Sequence, residues 1–152
     1  MDRRWIFKVM AATLLAVPFA NRKAAAEGEK KTHRLAIHVD QNDADVMKLA
    51  LNNTRNAYEL YKARGEELAV EIVCYSQGLH MLRDDTSPVK TEIRELRKIV
   101  PQVAFGACNN TKNAMEKREG KPVPIIAEAT IVPAGVVRLI ELQEAGYSYI
   151  KP

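Results

Sequence analysis

Val103-Ala-Phe-Gly-Ala-Cys-Asn-Asn-Thr111 is the stretch that decides the fold. An apolar run, Val103 to Ala107, hands over across a single residue to a helical pattern opened by Asn109 and Asn110 and closed by Gly120. A strand that feeds directly into a helix is half of the unit from which α/β proteins are built. The residue at the handover is Cys108. A thiol there meets the positive end of the helix dipole and unpaired backbone N–H groups, and both favour the thiolate.

Working outward, the same alternation recurs from Thr32 onward without repeats or low-complexity segments. Leu35 to Val39 reads as a first strand, and about Asp43 to Ala63 as a helix with apolar contacts at Val46, Leu49, Ala50, Ala57, Leu60 and Tyr61, ended by Gly65. Leu68 to Cys74 is a second strand. Ser87-Pro88 opens a second helix, with Ile93, Leu96, Ile99 and Val100 on its apolar face and Pro101 as its stop. After the third strand and the helix from about Asn110 to Glu119 come a fourth strand, Ala129 to Val132, a fourth helix, Val136 to Glu144, and a fifth strand, Tyr147 to Ile150. Five strands alternating with four helices predict a three-layer α/β/α sandwich around a mostly parallel five-stranded sheet, Rossmann-like in class, with the strand order left open.

Reactive groups in such sheets gather beyond the carboxyl ends of the strands. His38-Val39-Asp40, Cys74 with the loop Tyr75 to His80, Cys108, and Pro133-Ala134-Gly135 all follow strands and are expected on that one edge. Several chemistries have no support. The phosphate-binding G-x-x-x-x-G-K-[ST], a G-x-G-x-x-G after the first strand and a G-x-S-x-G elbow are all missing from the sequence.

Residues 1–26 read as a signal peptide: Arg3, Arg4 and Lys8 form a basic start, Val9 to Ala20 a short apolar run, and Ala24-Ala25-Ala26 a small-residue cleavage site. The apolar run is interrupted by Pro18 and is shorter than the ~20 residues of a membrane span, so no permanent anchor is expected. Arg3-Arg4-Trp5-Ile6-Phe7-Lys8 fits the twin-arginine pattern as well as an ordinary secretory start, and both export routes, each leading to the periplasm, stay open. Setting aside five basic residues (Arg3, Arg4, Lys8, Arg22, Lys23) and one acid (Asp2) from 23 basic and 19 acidic leaves 18 of each. The mature chain is therefore neutral, and no nucleic-acid partner is expected. Residues 27–32 form a polar, flexible lead-in to a single domain over 33–152.

Phe105-Gly-Ala-Cys-Asn-Asn-Thr111, read with the tail Val132-Pro-Ala-Gly-Val-Val-Arg-Leu-Ile-Glu-Leu-Gln-Glu-Ala-Gly-Tyr-Ser-Tyr-Ile-Lys-Pro152, resembles the DsrE/DsrF-like family of sulfur-relay proteins. Cys108 matches the family's cysteine and Asn110-Thr111 the Asn-Thr after it, while Asn109 stands where the family carries a glycine. The resemblance implies an α/β subunit that assembles into oligomers and carries sulfur as a persulfide on Cys108, with Asn109, Asn110 and Thr111 as the supporting loop. Donor and acceptor thiols are the implied partners, with no cofactor. An Ala-Leu-Asn-Asn run similar to Ala50-Leu51-Asn52-Asn53 implies a structural polar contact or a subunit interface.

Cys74 has three readings: a packed thiol, a second redox thiol, or a disulfide partner of Cys108 if their strands are neighbours. His38 and His80 could join the cysteines around zinc only by long-range convergence, since no compact ligand pair is present, and no metal is expected. The function expected is an exported sulfurtransferase-like carrier rather than a turnover enzyme. The competing reading is a non-catalytic, oligomeric periplasmic module that holds a small ligand while Cys108 merely packs.

Overall fold

All five strands anticipated above form, and each pairs in parallel with its neighbour. The computed structural model describes residues 31–152; the expected signal peptide lies outside the described residues. In chain order the elements are β1 (Thr32–Val39), α1 (Ala44–Ala63), β2 (Glu67–Cys74), a 3-10 helix (Ser76–Leu82), α2 (Lys90–Ile99), β3 (Ala104–Cys108), α3 (Asn109–Glu119), β4 (Thr130–Val132), α4 (Gly135–Glu144) and β5 (Ser148–Ile150). The sheet order is β4-β3-β2-β1-β5, parallel throughout.

From β1 to β4 the chain steps in one direction across the sheet; from β4 to β5 it returns the other way. Parallel crossovers keep one hand, so a reversal of direction moves the connecting helix to the opposite face. The packing follows this rule. Met47, Ala50 and Leu51 of α1, Ile93 and Leu96 of α2, Met115 of α3 and Leu79, Met81 and Leu82 of the 3-10 helix share one core with Ile37, Val39, Ile72, Cys74, Phe105 and Ala107. Leu139 and Leu142 of α4 pack on the other face against Ala36 and Val73. The result is an α/β/α sandwich whose second outer layer, among the described residues, is α4.

Several boundaries and faces differ from the sequence reading. The lead-in was expected to end at residue 32, yet β1 begins at Thr32, which registers with Glu67. His33 is held there by stacking on Tyr61 at 3.7 Å and by a 2.9 Å bond to Glu66. The buried stripe of α1 is Met47, Ala50, Leu51 and Thr54, a 3.6-residue repeat that turns Leu49 and Leu60 to solvent. Asn52 and Asn56 are exposed on the same outer side. Helix α2 starts at Lys90 instead of Ser87-Pro88; the Ser87 hydroxyl donates to the Met81 carbonyl at 2.6 Å and accepts from Val89 N–H, which ties the segment before the helix to the 3-10 helix. The loop expected from Tyr75 to His80 is instead this 3-10 helix, Ser76–Leu82.

Two polar clusters are held inside. Arg83, 1% exposed, forms paired bonds to both Asp85 and Glu119. On the α4 face, Glu71 receives Nε and Nη2 of Arg138 at 2.8 and 2.7 Å. Gly106 makes room for this pair, since a Cβ there would stand 3.1 Å from Glu71 Oε1. Among the described residues no helix is long and apolar enough to cross a membrane.

Candidate active site at Cys108

Strands β3 and β4 are neighbours whose following helices leave on opposite faces of the sheet. This is a topological switch point, where the two connections diverge and open a crevice at the carboxyl edge. Cys108 ends β3 and Gly135 begins α4 just after β4, so the N-termini of α3 and α4 converge on one spot. Asn110 N–H donates to the Pro133 carbonyl at 3.3 Å and ties the two junctions together.

Cys108 is itself the N-cap of α3, and its Sγ accepts from Thr111 N–H at 3.5 Å. Burial pushes this thiol up, but the Thr111 hydroxyl and the N–H groups of Thr111, Gly135 and Asn110 outweigh it, and the thiol titrates below its ordinary value. The Thr111 hydroxyl is oriented for this: its oxygen accepts from Ser76 N–H at 3.1 Å, which leaves its proton for the sulfur. Ser76 reaches that position only by taking a left-handed backbone, φ 52°. Such a conformation is costly for a non-glycine residue and clusters at working sites. Asn109, in contrast, is an ordinary first residue of α3, so this position does not need the glycine of the resembling family.

The sulfur is not open to large reagents. Cys108 is only 4% exposed, and next to it α3 lines a cleft of about 330 Å³ with Ser76, Gln77, Asn110, Thr111 and Arg118. On the far side of β4 a groove of about 470 Å³ runs between the sheet and α4, lined by Phe105, Ile131, Val132, Val137 and the Glu71–Arg138 pair.

His38 and Asp40 lie on the anticipated edge with Tyr75, and Tyr149 and Lys151 join them from the C-terminal strand and tail. The His38 ring is 4% exposed, stacks on Tyr75 at 4.5 Å and bonds through Nδ1 to the Tyr149 hydroxyl at 2.8 Å. Burial holds its pKa below the ordinary value, beyond what nearby Asp40 restores. Asp40 clamps Lys151 at 2.6 Å. Tyr75 and Tyr149 carried one usable signal, an aromatic side chain at the end of a strand. Which partner each meets is set by strand order.

The structure separates the two cysteines. Their strands are neighbours, as a disulfide would require, but Cys74 registers with Ala107, and alternation along β3 sends Ala107 and Cys108 to opposite faces. Both cysteines are free. Cys74 is fully buried with its Sγ 3.8 Å from Met81 Sδ, and burial pushes its thiol far above the usual range. Its second-thiol and disulfide readings are corrected to the packed one. His80 bonds the Thr86 hydroxyl at 2.8 Å.

No protein-family model matches the chain, and no curated protein does. A solved structure does: the protein of unknown function MTH1491 from Methanobacterium thermoautotrophicum, 30% identical, with a TM-score of 0.65 over 79% of this chain and 99% of that one. The chain belongs to that protein's family. The α/β/α fold is therefore shared with a relative that spans nearly the same domain.

Proposed function

We propose that the protein is a sulfur carrier that holds sulfane sulfur as a persulfide on Cys108. The observation that carries this reading is the convergence of two helix N-termini and the Thr111 hydroxyl on one thiol, which favours its thiolate form. The thiolate attacks the outer sulfur of a donor such as thiosulfate. A sulfur–sulfur bond forms to Sγ, the donor's sulfur–sulfonate bond breaks, and sulfite leaves with its electron pair, so charge and atoms balance. An acceptor thiolate then attacks the outer sulfur and returns Cys108 as thiolate. The near closure of the site selects small or slender donors. The resemblance to DsrE/DsrF-like proteins at Phe105 to Thr111 supports the same reading.

The test is direct. Incubation with thiosulfate or polysulfide should add one sulfur atom, removable by a thiol reductant and mapped to Cys108 by peptide mass. An unchanged mass under both donors rejects the carrier and leaves a packed thiol beside a ligand crevice.

Two further parts of the proposal are export and assembly. The mature chain should begin near Glu27 and fractionate outside the inner membrane; N-terminal sequencing that recovers Met1 from native cells rejects export. Exposed Ile131, Val136, Val137 and Ile140 support a homo-oligomer. Light scattering that finds only the monomer mass at micromolar concentration rejects assembly.

A further inference from the structure

The Gly135 N–H that faces the Cys108 sulfur begins α4, whose N-cap, Ala134, has no side-chain hydrogen bond to hold the first turn. What holds it is contact with Tyr75. A Cβ on Gly135 would stand 2.8 Å from Tyr75 Cδ1 and 2.9 Å from Tyr75 Cβ, so ring and helix start touch without room for a methyl group. The same ring stacks on His38, at 4.5 Å and 21° between planes. His38 is in turn pinned by the Tyr149 hydroxyl, and the Tyr75 backbone by the Val39 carbonyl at 3.3 Å. No hydrogen-bond partner of the Tyr75 hydroxyl is present among the described residues.

We infer that Tyr75 is a positioning residue for the reactive thiol: its ring, wedged between the His38 imidazole and Gly135, keeps the first turn of α4 against the Cys108 sulfur. Gly135 is needed for the same reason, because only a residue without a side chain lets the ring sit this close. The inference deepens the carrier reading, and rests on it for why an ionised Cys108 matters, but it concerns the thiol's own titration. The titratable groups around the wedge are Asp40, Lys151, Tyr149, His38 and Cys108 itself. Removing the ring leaves these charges in place and loosens one donor.

The experiment is the pH dependence of iodoacetamide labelling at Cys108, read by peptide mass, in the wild type, Tyr75→Phe, Tyr75→Ala and His38→Ala, with circular dichroism and Tm on each. Tyr75→Phe keeps the ring and should label within twofold of wild type. Tyr75→Ala should move the labelling midpoint to higher pH by about one unit, a loss of about tenfold in thiolate at pH 7. His38→Ala, which removes the backing of the ring, should move it the same way by less. A folded Tyr75→Ala protein with a wild-type midpoint overturns the inference, as does a Tyr75→Phe protein that shifts as far as Tyr75→Ala. Should Tyr75→Ala not fold, an unshifted His38→Ala midpoint overturns it. Absence of sulfur loading in the wild type rejects the carrier and leaves these midpoints to decide the wedge.

Discussion

Cys108→Ser should abolish sulfur loading and native-state alkylation while leaving the fold within about 1 kcal/mol of wild type, because serine is among the best helix N-caps and its hydroxyl can accept the Thr111 N–H that Sγ accepts now. Cys74→Ser should behave in the opposite way. Its sulfur is fully buried among apolar side chains with Met81 as its polarisable neighbour, so a hydroxyl there costs about 1–3 kcal/mol without touching the chemistry. In the wild type, alkylation followed against pH should label Cys108 first, with a midpoint below the free-thiol value of about 8.5, and leave Cys74 unlabelled until the protein unfolds. The sign follows from the environments. Hydrogen bonds to sulfur favour the thiolate and lower one pKa, whereas burial among apolar groups disfavours it and raises the other. Equal, slow labelling of both cysteines, or loading that survives Cys108→Ser, removes Cys108 from the mechanism.

Gly78→Ala should cost about 4 kcal/mol or more, enough to unfold a domain of ordinary stability. Gly78 sits in the 3-10 helix where its backbone lies against the end of β1. An added Cβ would stand 2.1 Å from the Val39 carbonyl oxygen, 2.5 Å from the Val39 carbonyl carbon and 2.7 Å from Asp40 N. These are main-chain atoms at the end of β1, where Val39 registers with Cys74 of β2, and not the ends of flexible side chains that could swing aside. The helix would have to lift, exposing Leu79, Met81 and Leu82, which are fully buried, and drawing Ser76 away from Thr111. Gly146→Ala is the control: φ is +83° but nothing stands within 4 Å of the new Cβ, so the cost is the backbone term of about 1–2 kcal/mol. Urea denaturation of the three proteins checks this, and a Gly78→Ala protein as stable as Gly146→Ala would show that the contact yields.

Much of this arrangement was legible in the residues. The apolar run at Val103 to Ala107 reads as a strand and the pattern from about Asn110 as a helix, which places Cys108 at their junction; the strand is Ala104–Cys108 and the helix starts at Asn109. Local chemistry decides such features, because a strand's apolar run and a helix's first turn are written within a few residues of each other. The smaller errors were local as well. Ser87 looked like a helix cap but bonds the 3-10 helix, a competitor visible only when Met81 is near it.

The residues alone specify the class of fold and place Cys108, His38 and Asp40 after strands that end on one edge of the sheet. Only the tertiary structure decided the rest, because it depends on which strand lies beside which. The order β4-β3-β2-β1-β5 brings Gly135 to Cys108 and makes their junction the switch point. It also brings Tyr149 to His38 across 111 residues of chain, and Arg138 to Glu71 across 67. Register decided the fate of Cys74, since one residue along a strand is the difference between the reactive face and the core. No spacing along the chain encodes these meetings. They arise from the reversal of direction after β4, which sends α4 to the opposite face and leaves its N-terminus pointing at the sulfur.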